Sequence, residues 1–223
     1  MIKNIFKTLF CIMLILLLKV YCYAEADIII RTPDQDFFSG IGPGFATDMA
    51  VAGDSYAQHF YNDEKNKDIK LYGYFNEGYT LEMNKMTLKN AFYSDHKVVF
   101  LSISVNDRHR STHPSEFENE LRELFDIAVR TKKIVIVHSY MYYDLASMPV
   151  YPYSTFEYDS MIRKLILEYD NVYYIDMSDC TGVEYMLSDG IHYNKKFNDE
   201  MYKRLSTMIE MIRNNIYEQR KTD

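Results

Sequence analysis

The chain has 223 residues, 25 Lys and Arg against 32 Asp and Glu, and a formal charge of −7. Residues 1–24 hold three lysines and no acid, so the remainder carries 22 basic against 32 acidic residues, a balance of −10. An acidic chain without a basic cluster excludes nucleic acid as a partner, because that binding rests on phosphate neutralisation.

Residues 1–24 read as a secretory signal peptide. Lys3 and Lys7 form a basic start, Leu9 to Leu18 is unbroken apolar sequence, and Cys22-Tyr23-Ala24 ends on a small residue suited to cleavage. The apolar run is short for a bilayer span, so the expectation is export, with membrane attachment only if the segment stays uncleaved. Tyr21 is bulky where a lipid-attachment site at Cys22 calls for a small residue. Cys11 and Cys22 fall in this segment, which leaves Cys180 as a lone, packed thiol. One cysteine makes no internal disulfide, and an exported chain of that kind fits a bacterial envelope.

Residues 25–46 read as a linker: a short apolar run at Ile28-Ile29-Ile30, then the Gly/Pro-rich lead-in Ser39 to Gly44. Residues 47–219 form one domain by length. Its first core strand is the run Met49 to Ala52, closed by Gly53-Asp54-Ser55 and followed by a segment able to wind into a helix. Strands are then predicted at 69–74, 98–103, 134–137 and 172–175, and helices at 81–92, 114–130, 156–169 and 197–217. Alternating elements with wholly apolar strands predict an α/β fold, a parallel sheet covered by helices on both faces. Reactive residues of such sheets gather on loops at the carboxyl ends of strands.

Four loop segments carry chemistry. They are Gly53-Asp54-Ser55, Gly78 in Asn76 to Tyr79, Ser104-Val105-Asn106-Asp107, and Asp189-Gly190-Ile191-His192. A serine hydroxyl becomes a nucleophile when a base removes its proton, and histidine is the side chain suited to that near neutral pH. The histidine needs a carboxylate to set its tautomer, and Asp189 stands three residues before His192. The tetrahedral intermediate needs N–H donors, which the Ser55 and Gly78 backbones and the Asn106 side chain are placed to supply. Gly73 competes with Gly78 for that position. Asp54 and Asp107 read as loop hydrogen-bonding groups.

These blocks resemble those of the SGNH (GDSL-type) hydrolase superfamily, named for Ser, Gly, Asn and His in that order. Ser55, Gly78, Asn106 and His192 with Asp189 match them across the domain. The resemblance implies a three-layer α/β/α sandwich with a flavodoxin-like five-stranded parallel sheet, and metal-free hydrolysis or transfer of acyl groups without a cofactor. Three positions depart from the pattern: Tyr56 follows the Gly-Asp-Ser, Ser104 stands where glycine usually opens the third block, and Tyr193 replaces a frequent proline. Gly53 to Ala57 also approximates the G-x-S-x-G elbow of α/β-hydrolases, but there several strands precede the nucleophile.

The remaining candidates are less specific. His109 and His113 are four residues apart, without a Cys or Glu to complete a metal site. His138 ends a strand, where it would face the cleft. Tyr140, Tyr142, Tyr143, Tyr151 and Tyr153 crowd one loop and would suit a sugar-binding rim, or else pack inward. The substrate expected is a small-molecule or polysaccharide ester, most plainly a short O-acetyl group on carbohydrate. The alternatives are an O-acetyltransferase acting on cell-wall polysaccharide and a non-catalytic glycan-binding module.

Overall fold

A computed structural model describes residues 47–103, 105–140 and 151–219. The signal and linker readings, Ser104, Tyr142 and Tyr143 therefore lie outside the described residues.

Five strands, β1 (Asp48–Gly53), β2 (Lys70–Phe75), β3 (Val98–Ser102), β4 (Ile134–His138) and β5 (Val172–Ile175), form one sheet in the order β2-β1-β3-β4-β5. All four pairings are parallel. The helices are α1 (Ser55–Glu64), α2 (Leu81–Tyr93), α3 (Val105–His109), α4 (Pro114–Arg130), α5 (Thr155–Leu165) and α6 (Lys195–Gln219). This is the flavodoxin-like, three-layer α/β/α arrangement expected. Among the α-helices, α3 went unpredicted, and it turns the third block from a loop into a short helix.

The strand period of two sorts the core into two layers. Met49 and Val51 of β1, Val98 and Phe100 of β3, and Ile134 and Ile136 of β4 pack with Phe60 of α1 and Leu205 of α6. The alternate residues Ala50, Ala52, Val99, Leu101, Val135 and Val137 pack with α2, α4 and α5. Because β3 and β4 are buried on both faces, Val98 to Leu101 and Ile134 to Val137 read as unbroken apolar runs rather than as alternation. The amphipathic stripe of α4 (Phe117, Leu121, Leu124, Phe125, Ala128) is buried as the spacing requires. Replacing one such aromatic, Phe117, with Ala removes a fully buried ring, a change that typically costs about 3–5 kcal/mol.

The strand order places the site. From β1 the chain crosses to β2 on one side, and from β3 to β4 on the other. The connections leaving β1 and β3 therefore diverge and leave a crevice at the carboxyl ends of those two strands. Ser55 follows β1, and Asn106 follows β3.

Candidate active site

Gly53 ends β1 against the neighbouring strand. A Cβ on this residue would lie 1.8 Å from the Ser102 carbonyl oxygen, so only glycine permits the approach. The Asp54 N–H donates to that same oxygen at 3.3 Å. The Asn76 N–H (3.3 Å) and the buried Asn84 side chain both donate to the Gly53 carbonyl. Asn76 in turn bonds Asn84 Oδ1 at 2.7 Å. Nothing in the sequence pattern marks Asn84, which faces inward from the first turn of α2.

Asp54 is the N-cap of α1. Its Oδ1 accepts the Tyr56 N–H at 3.0 Å, and its Oδ2 accepts Asn106 Nδ2 at 3.3 Å. This carboxylate therefore ties the first block to the third. An amide nitrogen carries two hydrogens, so Asn106 keeps a second donor beyond its bond to Asp54.

Ser55 opens α1, with the residue only 6% exposed. Its Oγ lies 3.0 Å from His192 Nε2, and His192 Nδ1 lies 2.7 Å from Asp189 Oδ2. A carboxylate only accepts, so Nδ1 carries the proton and donates to Asp189. The Nε2 lone pair is then left to accept the Ser55 hydroxyl. The three side chains form a continuous relay across 137 residues of chain.

The histidine loop builds itself. Asp189 Oδ1 accepts the N–H groups of Ile191 and His192, each at 2.9 Å, and Gly190 adopts φ +67° to close the turn. Burial acts to raise the Asp189 pKa, but the His192 side chain and these backbone N–H groups outweigh it and hold it at about 2. A carboxyl held below its ordinary range contributes stability above that range and loses it as pH falls toward 2. Asp189 is therefore ionised throughout the range from pH 4 to 7. Outside the turn, the Leu187 N–H donates to the His192 carbonyl at 2.7 Å, and the Tyr56 hydroxyl donates to the Ile191 carbonyl. Tyr193, where proline was the frequent residue, is buried against Phe197 with ring centroids 4.1 Å apart. It anchors the loop to α6 by packing rather than by a fixed φ.

The second block has one glycine in a strand and one in a turn. Gly73 pairs with Val51 inside β2, whereas Gly78 lies in the connection after β2 at φ +71°, with no atom within 4 Å of a Cβ built there. Of the two, Gly78 has the loop position that the second block requires. Its carbonyl accepts Arg110 Nη2 at 3.2 Å.

Two substrate-binding expectations are corrected. Tyr140 has no exposed surface; its ring stacks on Tyr158 at 4.7 Å and meets Phe117 edge-on. It turns inward because its N–H donates to Asp159 Oδ1 at 2.7 Å, which locks the start of the segment into the core. His138 is 1% exposed and does not face the cleft. Its Nδ1 lies 2.7 Å from the Ser139 carbonyl, so Nδ1 is the protonated nitrogen and Nε2 accepts the Ser102 hydroxyl at 2.9 Å. Burial, opposed by that carbonyl and by Asp159, pushes its pKa down to about 4, so it is a neutral core residue. Tyr151 and Tyr153 also serve the fold: the Arg108 guanidinium lies 4.6 Å over the Tyr151 ring, and Arg108 Nε donates to the Tyr153 carbonyl at 3.3 Å. His109 stacks on Tyr151, while His113 caps α4, so the two histidines do separate structural work.

Asp107 stands beside Asn106 and caps α2, accepting the Leu81 N–H at 3.0 Å. It lines a cavity with Glu82, Glu116 and Glu120. Burial, assisted by the nearby Asp54 and Glu120 carboxylates, pushes its pKa up to about 7 against the hydrogen bonds from Leu81 and Thr112. The unfolded chain releases this proton near pH 4, the folded chain near pH 7, so this group costs stability as pH rises through that window. Asp107→Asn keeps an acceptor for Leu81 and has no proton to lose. Its Tm relative to the parent is expected to rise between pH 4 and 7; a constant difference in a calorimetric pH series would show that Asp107 titrates normally.

No protein-family model matches the sequence, and neither does any curated protein. Solved structures do share its fold. A GDSL-like lipase from Bacteroides thetaiotaomicron superposes with a TM-score of 0.64 at 14% identity, covering 86% of this chain and 97% of that one. The lipase/acylhydrolase from Enterococcus faecalis gives 0.60 at 16% identity, over 75% and 95%. An acetyl xylan esterase gives 0.58 at 17% identity, over 72% and 98%. At these identities the likeness establishes the fold, which is that of the SGNH hydrolases.

Proposed function

We propose that this protein is a serine esterase of the SGNH type that hydrolyses short acyl esters. The observation that carries the reading is the unbroken relay from Asp189 through His192 to Ser55 at the switch point of the sheet. Hydrolase structures sharing the fold support it.

In this reading His192 Nε2 takes the Ser55 proton as Oγ bonds to the ester carbonyl carbon. Asp189 stabilises the resulting imidazolium. The Ser55 and Gly78 N–H groups and the Asn106 amide receive the oxyanion, with Asp54 orienting Asn106. His192 returns the proton to the leaving alcohol, and the same relay activates the water that releases the acid. The substrate class proposed is an O-acetyl ester on carbohydrate, met outside the cytoplasm after export. The signal-like segment and the acetyl xylan esterase among the fold relatives support this choice. Tyr140 lies in the core and takes no part in a sugar-binding rim.

Hydrolysis of p-nitrophenyl acetate by the protein tests the reaction class, and acetate release from acetylated xylan tests the substrate. No turnover of the first would overturn the esterase reading. Turnover of the first without the second would overturn only the carbohydrate assignment. Asp189→Asn leaves the loop an acceptor for its backbone N–H groups but presents the wrong partner to Nδ1. Its kcat is expected to fall by about 10²–10⁴-fold, and a rate equal to the parent would mean that the His192 tautomer is set elsewhere.

A further inference from the structure

Two hydrogen bonds hold the His192 ring, at Nδ1 to Asp189 and at Nε2 to Ser55. Both act near the line joining the two nitrogens, so they fix the ring's position but leave it free to tip about that line. The dyad is not packed deeply enough to prevent tipping by burial: the Asp189 side chain is 45% exposed and that of His192 25%. A second restraint is needed, and α1 provides it. His59 lies four residues after Ser55, so both side chains leave the same face of the helix, one turn apart. Its ring lies parallel to that of His192, at 4.6 Å between centroids and 4° between planes. The Tyr56 ring contacts His192 only obliquely, at 5.7 Å and 45°.

We propose that His59 is a positioning residue, whose flat ring holds the His192 imidazole in the plane that directs Nε2 at Ser55. The proposal rests on the serine-esterase reading. The stack also places a π face against the positive charge that His192 acquires when it takes the serine proton, an arrangement that favours the cation. Both effects act on the reacting complex rather than on substrate affinity. They require a planar ring, not an ionisable one.

The test compares the parent with His59→Ala and His59→Phe in p-nitrophenyl acetate hydrolysis. Alanine is a good helix former at this half-buried site, so the variant folds. In His59→Ala, kcat is expected to fall about tenfold with KM nearly unchanged, because small misplacement of a reacting group carries costs of this order. His59→Phe is expected to restore most of the loss. An unchanged kcat in His59→Ala would overturn the proposal, and so would a His59→Phe enzyme as slow as His59→Ala. The His192 Hε1 resonance gives a readout independent of turnover. It should be shifted upfield by the stacked ring in the parent and in His59→Phe, and move downfield in His59→Ala. Absence of that pattern would refute the stack, whereas a shifted resonance in a parent without hydrolysis would refute the esterase reading and leave the stack intact.

Discussion

Ser55→Ala is expected to reduce kcat/KM for p-nitrophenyl acetate by about 10⁴-fold or more while leaving Tm close to that of the parent. The two halves of this expectation have separate causes. In the proposed mechanism activity is lost because the Oγ that lies 3.0 Å from His192 Nε2 forms the acyl bond, and no other hydroxyl bonds that nitrogen among the described residues. Stability is kept because the helix does not depend on Ser55 for its cap. Asp54 performs that role, accepting the Tyr56 N–H through Oδ1. A serine that merely capped α1 would show the reverse, with intact activity and a loss of about 1 kcal/mol in stability. His192→Ala should fall to nearly the same residual rate, and the double variant no further, because members of one relay act as a unit. Equal hydrolysis by parent and Ser55→Ala would remove the serine mechanism altogether.

Among the described glycines, Gly53→Ala is expected to be the most damaging single-methyl change, through folding rather than chemistry. The added carbon would sit 1.8 Å from the Ser102 carbonyl oxygen and 2.7 Å from its carbon, both backbone atoms of the adjacent strand β3. No rotamer relieves such a contact, so β1 and β3 must separate. The Asp54 N–H bond to Ser102 and the Asn84 and Asn76 bonds to the Gly53 carbonyl are strained with them. Strain and broken buried hydrogen bonds together reach roughly 4 kcal/mol or more, a large share of a domain's stability. Low soluble yield or a large drop in the urea midpoint should result. Ala52→Gly, one residue earlier in the same strand, should cost only about 1 kcal/mol. A Gly53→Ala protein as stable as the parent would mean that the strands tolerate a wider spacing here.

By itself the sequence determined the layers and the order of the reactive blocks. Runs such as Val98 to Leu101 and Ile134 to Val137 are apolar at every position because both faces of the strand meet helices, and that consequence of geometry is written directly in residue type. Asp189 and His192 were legible for a similar reason: they interact within one turn of chain, and a local contact leaves a local spacing. Gly53-Asp54-Ser55 was legible because a sharp strand-to-helix turn demands small and capping residues. Segment ends moved by only a few residues, as with the final helix, which begins at Lys195 rather than Phe197.

What the tertiary structure alone decided concerns side chains whose partners are far away in sequence. Asn84 supports the carbonyl of Gly53, 31 residues earlier, and Asp107 caps a helix that begins 26 residues before it. Neither residue type differs from thousands that face water, so spacing carries no trace of the role. Tyr140 and His138 erred in the opposite sense, because a polar tip at a strand end suits a cleft and a satisfied core position equally. The Asp159 carboxylate and the Ser102 hydroxyl settle them inward. His59 belongs to the same class: only when α1 is wound and the histidine loop is folded against it do Ser55 and His59 meet His192 together. Burial of apolar surface is a property of each residue and repeats with the period of its element. A hydrogen bond or ring contact between distant segments is a property of pairs, and the fold must bring the pair together before it exists.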